Sequence, residues 1–445
     1  MNNPTPRTIA LFPWGDWIED FLDSIQLSLQ EFCDEMSGGW LFGYIEALKL
    51  EGIQTVIVCV SAQVDVVTYQ IHKPTGAKIY VFPAPRLHRW VRQKMVNPYG
   101  WNVQETFGPH SVFQRPLLSI LRDMAAYLAT PMGAIAQILR QENCTAILCQ
   151  EYEYARFDIC ILLGKRLGLP VFATFQGGNF QLSRIEGLLR PHTLRASAGL
   201  IVPSQVEIER LQQTYGLPSS AIAQIFNPLD QKLWQGDRAE NPATIRHQTR
   251  TALQLPQDAK VVVYHGRMEL YRKGLDVLLD AWAQLCHTYA EENWWLLLVG
   301  TGSDAKVIGD RIAQLPKPTV RWINEYVLDR DLMRRYLMAA DLYTLPSRHE
   351  GFPVAPLEAM ACGLPVVATD APGVADILLE NGASMGGIVV PREQPEALGE
   401  AIAHLLRNEE TRLELKQKAL HRIETHFSLK TVGKRLGELI LSQEQ

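Results

Sequence analysis

The chain reads as an α/β protein built from two doubly wound, Rossmann-like domains facing a cleft. Three observations predict this. Short apolar runs alternate with helical patterns along all 445 residues, as repeated strand–helix units do. Most of these runs lack polar alternation, which suits strands covered on both faces of a parallel sheet. Twelve such runs fall into two even groups, more than one open sheet usually holds, in a chain too long for one hydrophobic core.

In the first half the strand candidates are Thr8–Trp14, Thr55–Val60, Lys78–Phe82, Thr145–Cys149, Val171–Phe175 and Gly199–Val202. In the second half they are Lys260–Tyr264, Trp294–Val299, Val320–Ile323, Leu342–Leu345, Pro365–Ala368 and Gly387–Val390. Helical patterns between them include Trp40–Leu50, Asp158–Leu167, Gln205–Gln213, Leu275–Tyr289, Val354–Cys362 and Glu396–Arg407. The apolar window Ala125–Leu139 is broken by Thr130 and Gln137 and falls short of the ~20 residues of a membrane span. It reads as one buried helix. Patterning is weakest over Thr214–Asp258, which holds Gly216-Leu-Pro218 and Asn227-Pro228, so the hinge is placed just before it. The expected division is 1–204, 205–425 and a last helical segment 426–445.

Composition narrows the class. A net charge of -5 gives no sign of a nucleic-acid partner gripped through bulk positive charge. The seven cysteines are scattered through apolar runs, with no Cys-x-x-Cys and no zinc spacing, so reduced core cysteines are expected. The start Met-Asn-Asn-Pro-Thr-Pro-Arg7 lacks the charged and apolar regions of a signal peptide. A cytoplasmic protein is expected.

Ligands of an open α/β sheet bind beyond the carboxyl ends of its strands, so the residues after each strand matter most. After Lys260–Tyr264 come His265-Gly266-Arg267 and Lys273-Gly274. Glycine lets the backbone approach a ligand, while Arg in a fork and Lys as a point charge suit a diphosphate. A solvated basic turn is the plainer reading of this element. Trp294–Val299 ends in Gly300-Thr-Gly302 with no third glycine in register, which argues against a dinucleotide fingerprint; packing explains the pair equally well. Leu342–Leu345 leads to Glu350-Gly-Phe-Pro353 and a helix with Pro353 expected at its first position. Glu350 lies before that helix and Glu358 within it, so two carboxylates can read hydroxyls at different depths beside a helix N-terminus that favours phosphate.

These residues resemble the retaining glycosyltransferases of family 4, with the GT-B fold. The likeness rests on Gly266-Arg267, Lys273-Gly274 and the run Glu350-Gly-Phe-Pro-Val-Ala-Pro-Leu-Glu358-Ala-Met-Ala-Cys-Gly-Leu-Pro-Val-Val-Ala-Thr369, and is dense from Phe226 to Val390. It implies that Arg267, Lys273 and Glu350 are catalytic. The cations would hold the donor diphosphate and Glu350 the transferred sugar, with the amides of Gly351, Phe352 and Val354 beside it. Glu358 would take the ribose hydroxyls, and Asn324, in Trp322-Ile-Asn-Glu-Tyr326, would stand where the base is held. Gly38 and Gly39 would form the glycine loop beside the diphosphate, and the last helix would cross back onto the first domain. The family usually has a histidine after the strand Val171–Phe175, where Gln176 and Gly177 stand here, expected on the acceptor or sugar side. Glutamine can hydrogen-bond a sugar but cannot act as acid or base.

The resemblance thus implies transfer of a hexose from a nucleotide-sugar, a UDP-sugar first, to an alcohol acceptor, without a metal cofactor. A lipid-linked or phosphorylated acceptor is one expectation, since Arg86-Leu-His-Arg-Trp-Val-Arg-Gln-Lys94 is basic and aromatic and suits an anionic membrane. An exposed basic helix is its plainer reading. A phosphorylase or sucrose-type synthase, or a non-catalytic sugar-nucleotide-binding protein, would use the same residues. Asp329-Arg-Asp331 is read as a helix cap rather than a metal site, and Ser204 as a cap rather than a nucleophile. His88, His192 and His349 have no assigned role.

Overall fold

The computed structural model describes residues 7–177, 182–236 and 241–442. The first domain carries strands β1 (Thr8–Phe12), β2 (Gln54–Ser61), β3 (Thr68–Ile71), β4 (Lys78–Pro83), β5 (Cys144–Gln150), β6 (Val171–Thr174), β7 (Gly199–Ile201) and β8 (Ile222–Ala223). They form one sheet in the order β3-β4-β2-β1-β5-β6-β7-β8, parallel except for the β3–β4 pair. The second domain carries β9 (Lys260–His265), β10 (Trp294–Val299), β11 (Val320–Ile323), β12 (Leu342–Leu345), β13 (Val366–Thr369), β14 (Leu379–Glu380), β15 (Ala383–Ser384) and β16 (Gly387–Val390). Its sheet runs β11-β10-β9-β12-β13-β16, all parallel, with β14 and β15 as a separate hairpin. All the expected strands are present, and most have buried central residues, as continuous apolar runs require; the edge strands β11 and β16 are half-buried at their centres. The strand order of each sheet reverses once, between β1 and β5 and between β9 and β12, and those crevices are where such sheets bind ligands.

Three elements escape the apolar-run pattern. The edge strand β3 alternates half-buried and exposed residues, β8 has two residues, and β14–β15 is a two-plus-two hairpin. The expected single helix over Ala125–Leu139 is two, Arg115–Leu128 and Met132–Gln141. Pro131 between them lacks an amide and disfavours helix at Thr130.

The expected boundary at 204/205 falls inside the first sheet. Helix Gln205–Tyr215 packs Leu211 into the first core, and β8 pairs with β7. The chain crosses between domains at Ile225, which joins the first core, and Phe226, which joins the second. Phe226 stacks on Phe352 at 5.3 Å and meets Phe427 at 5.0 Å. The return crossing lies alongside: Leu229 N donates to Phe427 O at 2.7 Å. Helix Leu429–Leu441 then packs on helix Gly39–Leu50, burying Val432, Leu436 and Ile440 in the first core. Gly433 permits the approach, since a Cβ there would sit 2.4 Å from Ala47 O.

All seven cysteines are free thiols, six of them buried. Among the described residues no helix is long and apolar enough to cross a membrane. The basic stretch forms helix Arg86–Arg92, but Arg92 is not presented to solvent. Its guanidinium pairs with Asp20 and lies 4.7 Å from the Trp17 ring and 5.6 Å from that of Tyr99. His88 is buried and accepts from Trp17 Nε1 at 3.0 Å. This helix is anchored by Arg92 and His88, which takes those two residues out of the membrane-facing basic patch.

Candidate active site

A cavity of about 530 Å³ opens between the domains. From the first domain Gly38, Gly39, Gln176 and Gly177 line it, and from the second Arg267, Phe352 and Val354. These predicted residues come together because both sheets point their carboxyl ends at the same space. Gly38 and Gly39 open helix Gly39–Leu50 with φ of 74° and 64°, values that favour glycine.

Lys273 and Glu350, after β9 and β12, form a pair across the second switch point. Lys273 Nζ lies 2.7 Å from Glu350 Oε1, and Ser347 Oγ donates to the same oxygen at 2.6 Å. The two side chains are only 14% and 7% exposed. Burial pushes the Glu350 carboxyl up, but the Lys273 charge, the two hydrogen bonds and the Arg272 charge outweigh it and leave its pKa below the ordinary value. Glu358, buried in the apolar helix Ala355–Ala361, has the partners such a carboxylate needs. His265 Nε2 is 2.7 Å from Oε2 and Arg330 is 3.5 Å from Oε1. Lys273, Glu350 and Glu358 thus stand in side-chain pairs and are not among the cavity-lining residues.

Several expectations need correction. Pro353 is not the first helical residue: Val354 is the N-cap and Pro356 is the proline of the first turn. Asn324 is exposed and does not line the cavity; from its loop Tyr326 does, and so does Arg330 of the following helix. Gly266 lies outside the lining as well, and its carbonyl would sit 2.0 Å from a Cβ on Gly300, so packing alone requires glycine at 300. Gly351 is in contact with the other domain: a Cβ there would lie 2.2 Å from Gly177 N. Asp329 caps its helix by accepting from Asp331 N and Leu332 N, as expected. Ser204 holds the N-cap position, but its buried hydroxyl has no hydrogen-bond partner there. Among the described residues no group of His, Cys, Asp or Glu could hold a metal ion.

Gln176 is fixed rather than free. Its Nε2 donates to Thr174 Oγ1 at 2.9 Å and to Asn227 Oδ1 at 3.0 Å, and Asn227 Nδ2 returns a bond to Gln176 Oε1 at 2.8 Å. Asn227, in the crossing segment, also donates to Phe352 O at 3.3 Å. The residue that replaces the expected histidine therefore braces the hinge. Its own amide donates to Glu151 Oε1 at 2.6 Å, and Glu151 holds a left-handed φ of 63°, strain of a kind that gathers at functional sites.

The sequence reading missed Arg272, Arg330, Trp14 and Tyr154. Arg272 adjoins Lys273, and Arg330 sits inside the Asp-x-Asp that reads as a cap. With Arg267 they bring three guanidiniums to the cavity. Arg330 also donates to Ser37 O in the glycine loop, tying the second domain to the first. Trp14 and Tyr154 follow β1 and β5 at the first domain's switch point, a signal available once the strand order is known.

Comparison with known proteins bears on the fold and on residues 246–422. Residues 246–422 match the family model described as Glycosyl transferases group 1. A D-inositol 3-phosphate glycosyltransferase of Corynebacterium urealyticum is 29% identical over 256 residues, 55% of this chain and 56% of that protein. The chain thus spans about half the length of the curated relatives it matches. Over almost the whole chain the fold is shared with solved proteins. Sucrose-phosphate synthase from Thermosynechococcus elongatus has a TM-score of 0.68 at 19% identity, covering 98% of this chain and 99% of that one. Anabaena HepE, solved with UDP and glucose, has a TM-score of 0.66 at 15% identity, covering 98% of this chain and all of the other (100%). The fold is GT-B, and residues 246–422 carry within it a domain of the group 1 glycosyl transferase kind.

Proposed function

We propose that the protein is a retaining glycosyltransferase that moves a hexose from a UDP-sugar to an alcohol. The observation that carries this reading is one interdomain cavity where Arg267, Arg272 and Arg330 face a Gly38-Gly39 loop, beside the Lys273–Glu350 pair. Guanidiniums bind diphosphate oxygens in forks, and a buried carboxylate kept ionised accepts sugar hydroxyls. UDP is the favoured nucleotide because HepE, which shares the fold, was solved with UDP and with UDP-glucose.

In this reading Arg267 and Lys273 neutralise the leaving diphosphate, the work a metal would otherwise do. Lys273 turns to the phosphate and frees Glu350 for the sugar. The acceptor oxygen bonds to the anomeric carbon on the face from which the diphosphate oxygen departs. The acceptor proton passes to that leaving oxygen, so no imidazole is needed and Gln176 is tolerated. Glu358 takes the ribose hydroxyls in exchange for His265 or Arg330. The acceptor binds on the first domain; the relatives' D-inositol 3-phosphate makes a phosphorylated alcohol one candidate, and a lipid-linked alcohol is another.

The test is transfer or slow hydrolysis of UDP-hexoses by the wild type and by Lys273→Ala and Glu350→Gln. Each variant is expected to lose on the order of 10²–10³-fold in kcat, as when one preorganised charge partner of a transition state is removed. Wild-type rates in both would refute the site.

A further inference from the structure

The second domain's switch point is occupied by the donor machinery, but the first domain has a switch point of its own between β1 and β5. Pro13 and Trp14 follow β1 there, and Glu151 to Tyr154 follow β5. A separate cavity of about 290 Å³ lies at this place, near the small end of ligand pockets (~300–1,000 Å³). It shares Pro13, Trp14, Gln150 and Tyr154 with the interdomain cavity, so a ligand here adjoins the donor's.

Its walls have two characters. Trp14, Tyr99, Trp101 and Tyr154 supply aromatic surface. Trp14 fixes two of these rings, with centroids 5.2 Å away at Tyr99 and 6.0 Å away at Tyr154. The charged lining is acidic: Asp16, Asp123, Glu153 and Glu186 against Arg122 and Arg156. Both guanidiniums are engaged within the protein. Arg122 donates to Asp123 Oδ1 at 3.0 and 2.9 Å and to Trp101 O at 3.0 Å. Arg156 donates to Pro13 O at 3.0 Å and Asp16 O at 2.8 Å. Glu153 is 2% exposed; Oε1 takes Arg210, while Oε2 has no hydrogen-bond partner among the described residues. A buried carboxylate oxygen in that condition is costly unless something donates to it.

A phosphate at this place would meet four carboxylates and, among the described residues, no unengaged lining cation. An uncharged sugar ring fits instead: its C–H face packs on aromatic rings, and its hydroxyls donate to carboxylates. We propose that this cavity is the acceptor subsite and that it takes an uncharged sugar residue, free or at the end of a lipid, rather than a phosphorylated alcohol. Glu153 Oε2 accepts one of its hydroxyls and Trp101 covers its face. The proposal rests on the transfer reading for its word acceptor, but the binding it asserts is independent of donor chemistry.

The experiment measures binding to the full chain in two steps. UDP alone is tested by thermal shift, which reads the donor site. A panel of methyl hexosides, octyl hexosides and D-inositol 3-phosphate is then titrated by tryptophan fluorescence and calorimetry, with and without UDP. Hexoside binding is expected, with inositol phosphate at least tenfold weaker, and octyl over methyl preference distinguishing a lipid-linked from a free sugar. Trp101→Ala and Glu153→Gln should each weaken hexoside binding about tenfold or more while keeping the UDP shift. Trp101 is 61% exposed, so its variant folds even where Glu153→Gln disturbs Arg210. Preference for inositol phosphate, no hexoside binding by a protein that binds UDP, or wild-type hexoside affinity in Trp101→Ala would each overturn the proposal. Loss of UDP binding with hexoside binding intact would overturn the donor reading instead.

Discussion

Lys273 and Glu350 are within hydrogen-bond distance in a place where neither side chain meets much water. Removing one partner leaves the other buried and uncompensated, which typically costs about 3–5 kcal/mol. Lys273→Ala should therefore lower the melting temperature as well as the activity, and Lys273→Ala with Glu350→Gln should recover part of the stability but none of the rate. The pair also sets a pH dependence. Glu350 has a folded pKa below its unfolded value, so it contributes stability above about pH 4.3. That contribution fades as pH falls through the folded value. Melting curves of wild type and Glu350→Gln should accordingly converge below about pH 4.3 and separate above it; a gap that widened on acidification would contradict the assignment. Both residues stand out in the sequence as candidate ligand contacts, because each follows a strand. Their mutual pairing was not, since they are 77 positions apart and meet only because β9 and β12 are neighbours.

At the scale of elements, the last helix is the clearest case. Helix Leu429–Leu441 belongs by sequence to the second domain and by packing to the first. Val432, Leu436 and Ile440 are each 3% exposed or less, and burying such a side chain is worth roughly 1.5–3 kcal/mol. Ending the chain after Ser428 should destabilise the first domain by several kcal/mol while sparing the second. Hydrogen exchange would show this as lost protection in Gly39–Leu50; unchanged protection there would refute it. The helix itself was visible in the residue pattern. The mixed fate of Ala125–Leu139 was not, because hydrophobicity alone gave no weight to Pro131.

For the whole molecule the decisive feature is that two domains meet through backbone. Gly177 and Gly351 touch, Arg330 reaches Ser37, and Gln176 locks to Asn227 in the crossing segment. Gly351→Ala would place a methyl 2.2 Å from Gly177 N, so the two backbones must move apart at this contact. Small-angle scattering should report a larger radius of gyration for this variant, with the melting of the second domain unchanged. UDP should raise the wild-type melting point, by the equivalent of about 2.7 kcal/mol at a hundredfold excess over Kd. The variant should show a smaller shift, since Gly38 and Gly39 would no longer face the ligand.

The sequence by itself determined the two parallel sheets, because buried strands must be continuously apolar, and it marked the strand ends that carry Arg267, Lys273, Glu350 and Glu358. It places the domain boundary some twenty residues early, just before a polar, irregular stretch, although β8 within that stretch still closes the first sheet. Only the tertiary structure decided which polar groups are engaged: Glu358 with His265 and Arg330, Arg92 with Asp20, Gln176 with Asn227. It alone assembled the acidic, aromatic cavity from Trp14, Trp101 and Glu153. Local periodicity records which residues leave water, whereas a binding site is made by residues distant in the chain whose meeting depends on strand order.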